Sequence, residues 1–279
     1  MEKEALKRIF EFIKDKDNKR HKKDGTFEWK LLFNEPLTEE DLNVKGDLNL
    51  RNTNITSLPE GLKVGGDFYL TSAPKLKSLP SNLDVKGGLD LAYSEITSLP
   101  KGLKVGGFLN LSSSKITSLP EDLNVKGNLN LEWTRMTSLP EGLEVGGYLS
   151  ISNSRITSLP ERFKVGGGLF LQHTKINSLP EGLKVSGSLH LEHTKIESLP
   201  EGLKVRGDLV IAITPITSLP EGLKVGGSLF LDYLDINLLP EGLEVGGSLF
   251  IENTPLEKYT DEELREMVKP GFIGGKIRR

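Results

Sequence analysis

Cysteine is absent from this chain of 279 residues. Its absence excludes disulfide bonds, thiol nucleophiles and cysteine-based metal sites. No apolar run approaches the roughly 20 residues that a membrane-spanning helix needs. The first residues also lack the uninterrupted apolar core of a secretory signal. We therefore expect a cytoplasmic protein, with delivery by a non-classical route as the alternative.

An excess of charge of one sign is also missing. The chain has 36 basic and 39 acidic side chains, a formal net charge of -3. This balance predicts no strong attraction to nucleic acid or to a membrane, so we expect neither as a partner. No single combination of acid, base and nucleophile stands out from the rest of the sequence. We therefore expect a protein that is not an enzyme and has no catalytic residues and no cofactor.

What the chain does contain is a repeat, seen most clearly in SLPEGLKVGGSLFLDYLDI at residues 218–236. Ten Leu-Pro pairs recur at intervals of twenty residues, except for one step of twenty-one between Pro59 and Pro80. A fixed period of this length is typical of a stacked solenoid, in which each coil contacts only its neighbours. The period therefore predicts one continuous rod of repeats.

Each repeat predicts extended chain. In the last copy, Leu243, Val245, Gly247, Leu249 and Ile251 alternate with polar or variable residues. Alternation with a period of two places one face of each segment in the core. Equivalent strands of stacked coils should then form parallel ladders with a spacing of about 4.8 Å. The predicted fold class is a mainly β repeat solenoid with short helical caps at both ends.

Three segments follow from this pattern. They are an N-terminal cap with a lead-in strand (1–41), a solenoid of about eleven repeats (42–258), and a C-terminal capping helix with a tail (259–279). Apolar residues at helical spacing predict the N-terminal helix over residues 3–15, and TFEWKLLF at 26–33 predicts a strand. Thr260 and Glu263 form the capping box of the last helix, predicted over 259–269. The tail FIGGKIRR is expected to be loose.

A glycine occupies one position in all eleven copies. These residues are Gly46, Gly66, Gly87, Gly107, Gly127, Gly147, Gly167, Gly187, Gly207, Gly227 and Gly247. The residue before it varies among Gly, Lys, Ser and Arg, so the fixed glycine must meet a need of the backbone. That need is either a positive φ or a lack of room for Cβ. A phosphate-binding loop is disfavoured, because it would be a single loop at a helix N-terminus.

The strand half of the repeat resembles a leucine-rich repeat. The similarity lies in Leu229-x-Leu231-x-x-Leu234-x-Ile236 and in Leu189-x-Leu191-x-x-Thr194-x-Ile196. The Leu-Pro-x-x-Leu that follows is similar to the short bacterial repeats of host-targeted effector proteins, and the resemblance extends over residues 42–256. Thr or Ser replaces the usual Asn, and Val-Gly-Gly replaces the usual spacing before the strand. A curved horseshoe and a straighter β-solenoid therefore both remain open. The ubiquitin-ligase activity of some such effectors is not implied, because the catalytic cysteine is absent.

Aromatic side chains make up only 6% of the chain, yet they concentrate at the variable positions of the strand and of the turn after it. Leucine columns already fill the interior, so these side chains should face outward and form an aromatic strip. The candidate partner-binding residues are Tyr93, Trp133, Tyr148, Phe170, His173, His190, His193, Phe230, Tyr233 and Phe250. The alternative is that these rings only stabilise the sheet by cross-strand stacking.

Three histidines of the strip lie in neighbouring repeats. His173, His190 and His193, with Glu192 beside them, are residue types that bind zinc. Neighbouring surface histidines are more often without a ligand, so we predict no metal site and keep the cluster as the alternative.

The predicted function is a non-enzymatic protein–protein interaction module that binds through its aromatic-rich strand face. Two alternatives come from other classes. One is a structural or accessory component of a larger assembly, such as a virion or a surface. The other is a glycan-binding solenoid, suggested by the ladder Thr97, Thr117, Thr137 and Thr157.

Overall fold

The structure is a computed structural model that describes residues 26–279, and the helix expected over residues 3–15 lies outside this range. The described chain winds into two parallel sheets of twelve strands each. Odd-numbered strands form sheet A and even-numbered strands form sheet B, so each coil, or rung, contributes one strand to each sheet. The predicted parallel β-solenoid with a spacing of about twenty residues is confirmed.

Every strand is two residues long. The strands of sheet A are β1 (Asn43–Val44), β3 (Lys63–Val64), β5 (Asp84–Val85), β7 (Lys104–Val105), β9 (Asn124–Val125), β11 (Glu144–Val145), β13 (Lys164–Val165), β15 (Lys184–Val185), β17 (Lys204–Val205), β19 (Lys224–Val225), β21 (Glu244–Val245) and β23 (Phe272–Ile273). The strands of sheet B are β2 (Leu48–Asn49), β4 (Phe68–Tyr69), β6 (Leu89–Asp90), β8 (Leu109–Asn110), β10 (Leu129–Asn130), β12 (Leu149–Ser150), β14 (Leu169–Phe170), β16 (Leu189–His190), β18 (Leu209–Val210), β20 (Leu229–Phe230), β22 (Leu249–Phe250) and β24 (Ile277–Arg278).

The core consists of columns of identical or similar side chains. Leu189 pairs in register with Leu209, which pairs with Leu229, and all three are fully buried. Because each rung buries the same positions against its neighbours, the core is continuous along the rod. A hydroxyl column closes the turn after most sheet B strands, with Ala73 and Leu234 in its place in two rungs. Thr174 Oγ1, for example, donates to the Leu171 carbonyl at 2.7 Å, which satisfies a buried acceptor.

The N-terminal end differs from the expectation. The segment predicted as a strand over 26–33 is instead helix α1 (Phe27–Leu32). Thr26 caps this helix by accepting a hydrogen bond from the backbone N–H of Trp29, and Phe27 and Trp29 are buried. The strand prediction was wrong because the alternation of TFEWKLLF also fits one apolar face of a short helix, and the cap at Thr26 favours the helix.

Asp41 anchors the connection between α1 and the first rung. Its carboxylate accepts hydrogen bonds from Lys30 Nζ at 2.7 Å, and from the Thr38 backbone N–H at 2.7 Å and hydroxyl at 2.8 Å. The Lys30 ammonium, and then the two Thr38 donors, lower the pKa of Asp41 from 3.8 to about 2. The charged carboxylate therefore stabilises the fold at pH values above 3.8, and this contribution is lost as the pH falls through about 2.

Replacing Lys30 with methionine should raise the pKa of Asp41 toward 3.8, because the largest stabilisation of the charged form is removed. An NMR titration of the side-chain carboxyl carbon would measure this shift. Glu39→Gln serves as the control, since it removes a neighbouring charge that does not contact Asp41. An unchanged Asp41 pKa in Lys30→Met would contradict the assignment.

The C-terminal end begins as expected. A 3₁₀ turn (Pro255–Lys258) is followed by helix α2 (Asp261–Met267), and the predicted capping box between Thr260 and Glu263 is present. Leu264 on the helix is completely buried. Within the described residues, no helix is long and apolar enough to cross a membrane.

The tail expected to be loose forms the twelfth rung, so that prediction was wrong. Phe272 N–H donates to the Leu243 carbonyl at 2.9 Å, and Gly274 N–H donates to the Val245 carbonyl at 2.7 Å. The physical reason lies in the sequence itself. Residues 272–277, FIGGKI, repeat the apolar, Gly-Gly, variable, apolar pattern of the other rungs without their Leu-Pro segment.

Candidate functional site

In each of the first eleven rungs, one non-glycine residue in the turn after the sheet B strand adopts a left-handed backbone conformation. We call these eleven residues the left-handed row, and their φ angles lie between 55° and 63°. The row consists of Asn52, Ser72, Tyr93, Ser113, Trp133, Asn153, His173, His193, Ile213, Tyr233 and Asn253. In most rungs the conformation lets the N–H of this residue reach a carbonyl of the next rung, as Trp133 N–H does to Ser152 O at 3.1 Å. Asn253 N–H instead donates to Glu257 Oε1 at 2.8 Å.

The residue types of this row conflict with its backbone. Among non-glycine residues, asparagine tolerates the left-handed region best, and bulky or β-branched residues tolerate it worst. Asn52, Asn153 and Asn253 fit this preference, but Trp133 and the β-branched Ile213 do not. Packing into the core does not explain them, because Trp133 is 63% exposed and Ile213 is 47% exposed.

A second line of side chains lies beside this row on the outward side of sheet B. We call Phe170, His190, Val210, Phe230 and Phe250 the strand row; they pair in register from rung 7 to rung 11. Each is half-buried. Phe230 and Phe250 stack with ring centroids 4.2 Å apart, and Phe170 and His190 stack at 4.9 Å. The strand row therefore forms a continuous, partly exposed apolar surface.

The predicted site residues are only partly brought together. Tyr148 contacts Phe170 edge-on, with ring centroids 5.8 Å apart, and so extends the strand row to rung 6. Tyr93 lies in rung 3, where the outward position of the strand is Asp90. Asp90 is buried and accepts hydrogen bonds from Thr71, Asn110 and Ala92, so this part of the sheet is polar framework. The aromatic surface is thus concentrated in rungs 5 to 11.

The histidines do not converge on one point. His173 and His193 stack with ring centroids 4.3 Å apart and an interplanar angle of 13°. Stacked rings face each other, so their nitrogens point sideways rather than toward a shared ion. His190 Nδ1 lies 3.4 Å from Glu192 Oε1. Within residues 26–279, no group of three His, Asp or Glu side chains has an arrangement that could hold a metal ion.

A shallow groove of about 450 Å³ lies next to the left-handed row across rungs 5 to 9. Its polar wall includes Glu132, which accepts from Ser150 Oγ at 2.5 Å, and Gln172, which accepts from Ser152 Oγ at 2.6 Å. Glu192 Oε2 is buried there without a hydrogen-bond partner among the described residues.

Sequence reasoning named Glu192 of this polar wall but not Glu132 or Gln172. Glu132 and Gln172 each precede a residue of the left-handed row, so their common position could be read from the repeat. The sequence alone does not predict that both side chains line the same groove, because their orientation depends on the side chains of the neighbouring rungs.

No protein-family model matches the chain, and no curated protein matches it. Among solved structures, a leucine-rich repeat protein of Leptospira interrogans, LIC12759, is 16% identical, with 86% of this chain and 97% of that one covered and a TM-score of 0.34. YopM from Yersinia enterocolitica WA-314 is 18% identical, with 84% and 80% covered and a TM-score of 0.32. The assignment of the solenoid fold depends on the strand pairing of this chain and not on these similarities.

Proposed function

We propose that this solenoid is a non-enzymatic module that binds a protein partner through the aromatic face of rungs 5 to 11. The aromatic face consists of the strand row, Tyr148, and the left-handed row from Trp133 to Tyr233. The observation that carries the proposal is the choice of Trp, Tyr and Ile at exposed left-handed positions. The fold requires this backbone conformation but not these residue types, and residues held in strained backbone conformations cluster at functional sites.

The chemistry of the face supports a protein partner. Exposed Trp and Tyr side chains are the commonest anchors of protein interfaces, since they bury a large area with little loss of conformational freedom. Trp133 and Tyr233 are 63% and 55% exposed, so each still has a large apolar surface available. The groove beside them supplies carboxylate, amide and imidazole groups, which can fix the orientation of a bound chain.

Replacing both Trp133 and Tyr233 with asparagine should weaken partner binding by about 30-fold or more while the protein becomes slightly more stable. The binding loss follows from the contribution of roughly 2 kcal/mol or more that such anchors make. The gain in stability, on the order of 1 kcal/mol, follows because asparagine fits the left-handed conformation better. Affinity for a partner purified from the native host and the melting temperature would be measured on the same preparations.

Leu238→Asn is the matched control. Leu238 is 61% exposed, as much as Trp133, but it lies outside the aromatic face. It should leave partner affinity unchanged. Phe230 is a poorer test residue than Tyr233, because its stacking on Phe250 would mix stability with binding. A clear fall in the melting temperature of the double variant would show that the rings are structural, and undiminished affinity would show that the partner binds elsewhere.

A further inference from the structure

A row of cations runs parallel to the left-handed row, two residues further along the chain in each rung. We call it the cation row, and it consists of Lys115, Arg135, Arg155, Lys175 and Lys195. All five side chains are exposed, and they belong to consecutive rungs. Successive charges are therefore stacked at the ladder spacing of about 4.8 Å.

The protein leaves most of this row without counter-charges. Lys115 pairs with Glu95 at 2.6 Å. Across the described range 26–279, the other four cations make no ion pair and no side-chain hydrogen bond. Two residues further along the chain, Thr137, Thr157 and Asn177 are uncharged, and Glu197 is the acidic residue of this column beside the four. Like charges at this spacing repel one another. Four adjacent unpaired cations are a concentrated positive site on a chain whose net charge is -3.

The lysines of sheet A give a useful comparison. Lys164 and Lys224 pair with Glu144 and Glu244 at 2.6 and 2.5 Å. A parallel row of glutamates, three positions earlier in each rung, offsets the remaining positive charge there. These glutamates are Glu121, Glu141, Glu161, Glu181, Glu201, Glu221 and Glu241. The cation row has no unbroken acidic row of this kind beside it, because only Glu132, Glu192 and Glu197 are acidic at the flanking positions of the four unpaired cations and none of them forms an ion pair with the row. Most of its charge is therefore available to a ligand.

Resting on the proposed function, we propose that the partner presents an acidic segment that lies along the solenoid axis. Its carboxylates contact the cation row from Arg135 to Lys195, and its apolar side chains pack on the left-handed row. The two rows lie side by side over rungs 5 to 8, so one extended segment reaches both. Charge complementarity of this kind sets the orientation of a partner and speeds its association.

A second charge pattern favours a protein segment over a nucleic acid. Acidic residues, among them Glu132, Glu192 and Asp232, directly precede members of the left-handed row and border its other side. A phosphate backbone lying on the rings would be repelled by these carboxylates. His173 and His193 also stack on each other, which leaves no gap between them for a base. A peptide backbone carries no charge, so a peptide can instead lie beside these carboxylates while its acidic side chains face the cations.

The test uses the full chain and a fluorescent twelve-residue peptide of alternating Glu and Phe, whose two residue types lie on opposite sides when the peptide is extended. The Arg135→Glu/Lys175→Glu variant should lose at least tenfold in affinity by fluorescence anisotropy. The control is Lys184→Glu/Lys204→Glu, which changes the net charge equally on exposed lysines of sheet A that also form no ion pair. The control should change affinity less than twofold, and added salt should weaken binding to the native chain.

Several results would overturn the inference: no binding of the Glu-Phe peptide, an equal loss in both charge variants, or equal or tighter binding of a Lys-Phe peptide or of oligo-dT of the same length. The Trp133→Asn/Tyr233→Asn variant separates the two claims. If it loses the native partner while Arg135→Glu/Lys175→Glu retains the acidic peptide, the inference fails and the proposed function stands. If it retains both partner and peptide, the proposed function itself fails.

Discussion

Replacing Gly147 with valine should lower the free energy of unfolding by about 3 kcal/mol or more, whereas the same change at Gly46 should be neutral or stabilising. A Cβ built on Gly147 would lie 2.9 Å from the carbonyl carbon of Gly127 in the rung before, and 2.1 Å from Asn128 Oδ1. A Cβ on Gly46 meets no described atom within 4 Å. Valine is otherwise favoured over glycine in extended chain. A loss of stability at Gly147 with no loss at Gly46 would therefore be due to the close approach of the neighbouring rung.

The structure decides between the two explanations of the glycine column. None of its eleven members has a positive φ. A Cβ on any of them except Gly46 would lie within 3.0 Å of backbone in the rung before. The close approach brings Gly147 N–H to the Gly127 carbonyl at 2.9 Å, and Gly167 N–H to the Gly147 carbonyl at 2.8 Å. The glycine is therefore required by the distance between rungs.

Urea unfolding of both variants would measure the difference. A lesion at Gly147 disturbs the contacts of a middle rung on both of its sides, so the loss should extend to two interfaces. Equal losses at Gly147 and Gly46 would contradict the close-approach explanation, and so would a stable Gly147→Val protein with an unchanged unfolding midpoint.

The sequence predicted the parts of the fold that repeat. A side chain such as Leu189 has the same environment in every rung, so comparing copies within one chain reveals the core without knowledge of any other protein. The prediction failed where a segment occurs only once. In α1, the cap at Thr26 decides between helix and strand, and in the last rung Ile273 and Ile277 lack the Leu-Pro segment that marks the others.

The candidate site was predictable in position but not in conformation. Outward-facing rings follow from the alternation of buried residues, and the structure places Phe230 and Phe250 side by side as expected. The left-handed backbone conformation could not be predicted from Trp133 and Ile213, because such residues rarely adopt it. The available signal was Asn153 and its counterparts Asn52 and Asn253 at the same position of other rungs. Whether these rings bind a partner remains the proposal made above.

Helix α2 closes the free end of sheet A with one side chain. In this sheet, each carbonyl of one rung accepts an N–H from the next rung, as Val245 O does from Gly274. The carbonyls of Ile273 and Gly275 are the acceptors that a thirteenth rung would use. Arg265 donates to both of them, Nη1 to Ile273 O and Nη2 to Gly275 O at 2.7 Å. Arg265 therefore occupies an edge that would otherwise be open to strand addition.

Replacing Arg265 with alanine should convert the protein into concentration-dependent oligomers, in which the freed carbonyls at the C-terminal edge accept backbone N–H groups of a second copy. The change frees two ladder carbonyls beside Phe272, which is 52% exposed and adds apolar surface to the new edge. Light scattering coupled to size-exclusion chromatography across a range of concentrations would detect the change in mass. Arg278→Ala is the control, since this exposed arginine of the same rung leaves Arg265 in place and should not alter the mass. An Arg265→Ala protein with the native mass at every concentration would show that the edge is protected by the shortness of its strands rather than by this side chain.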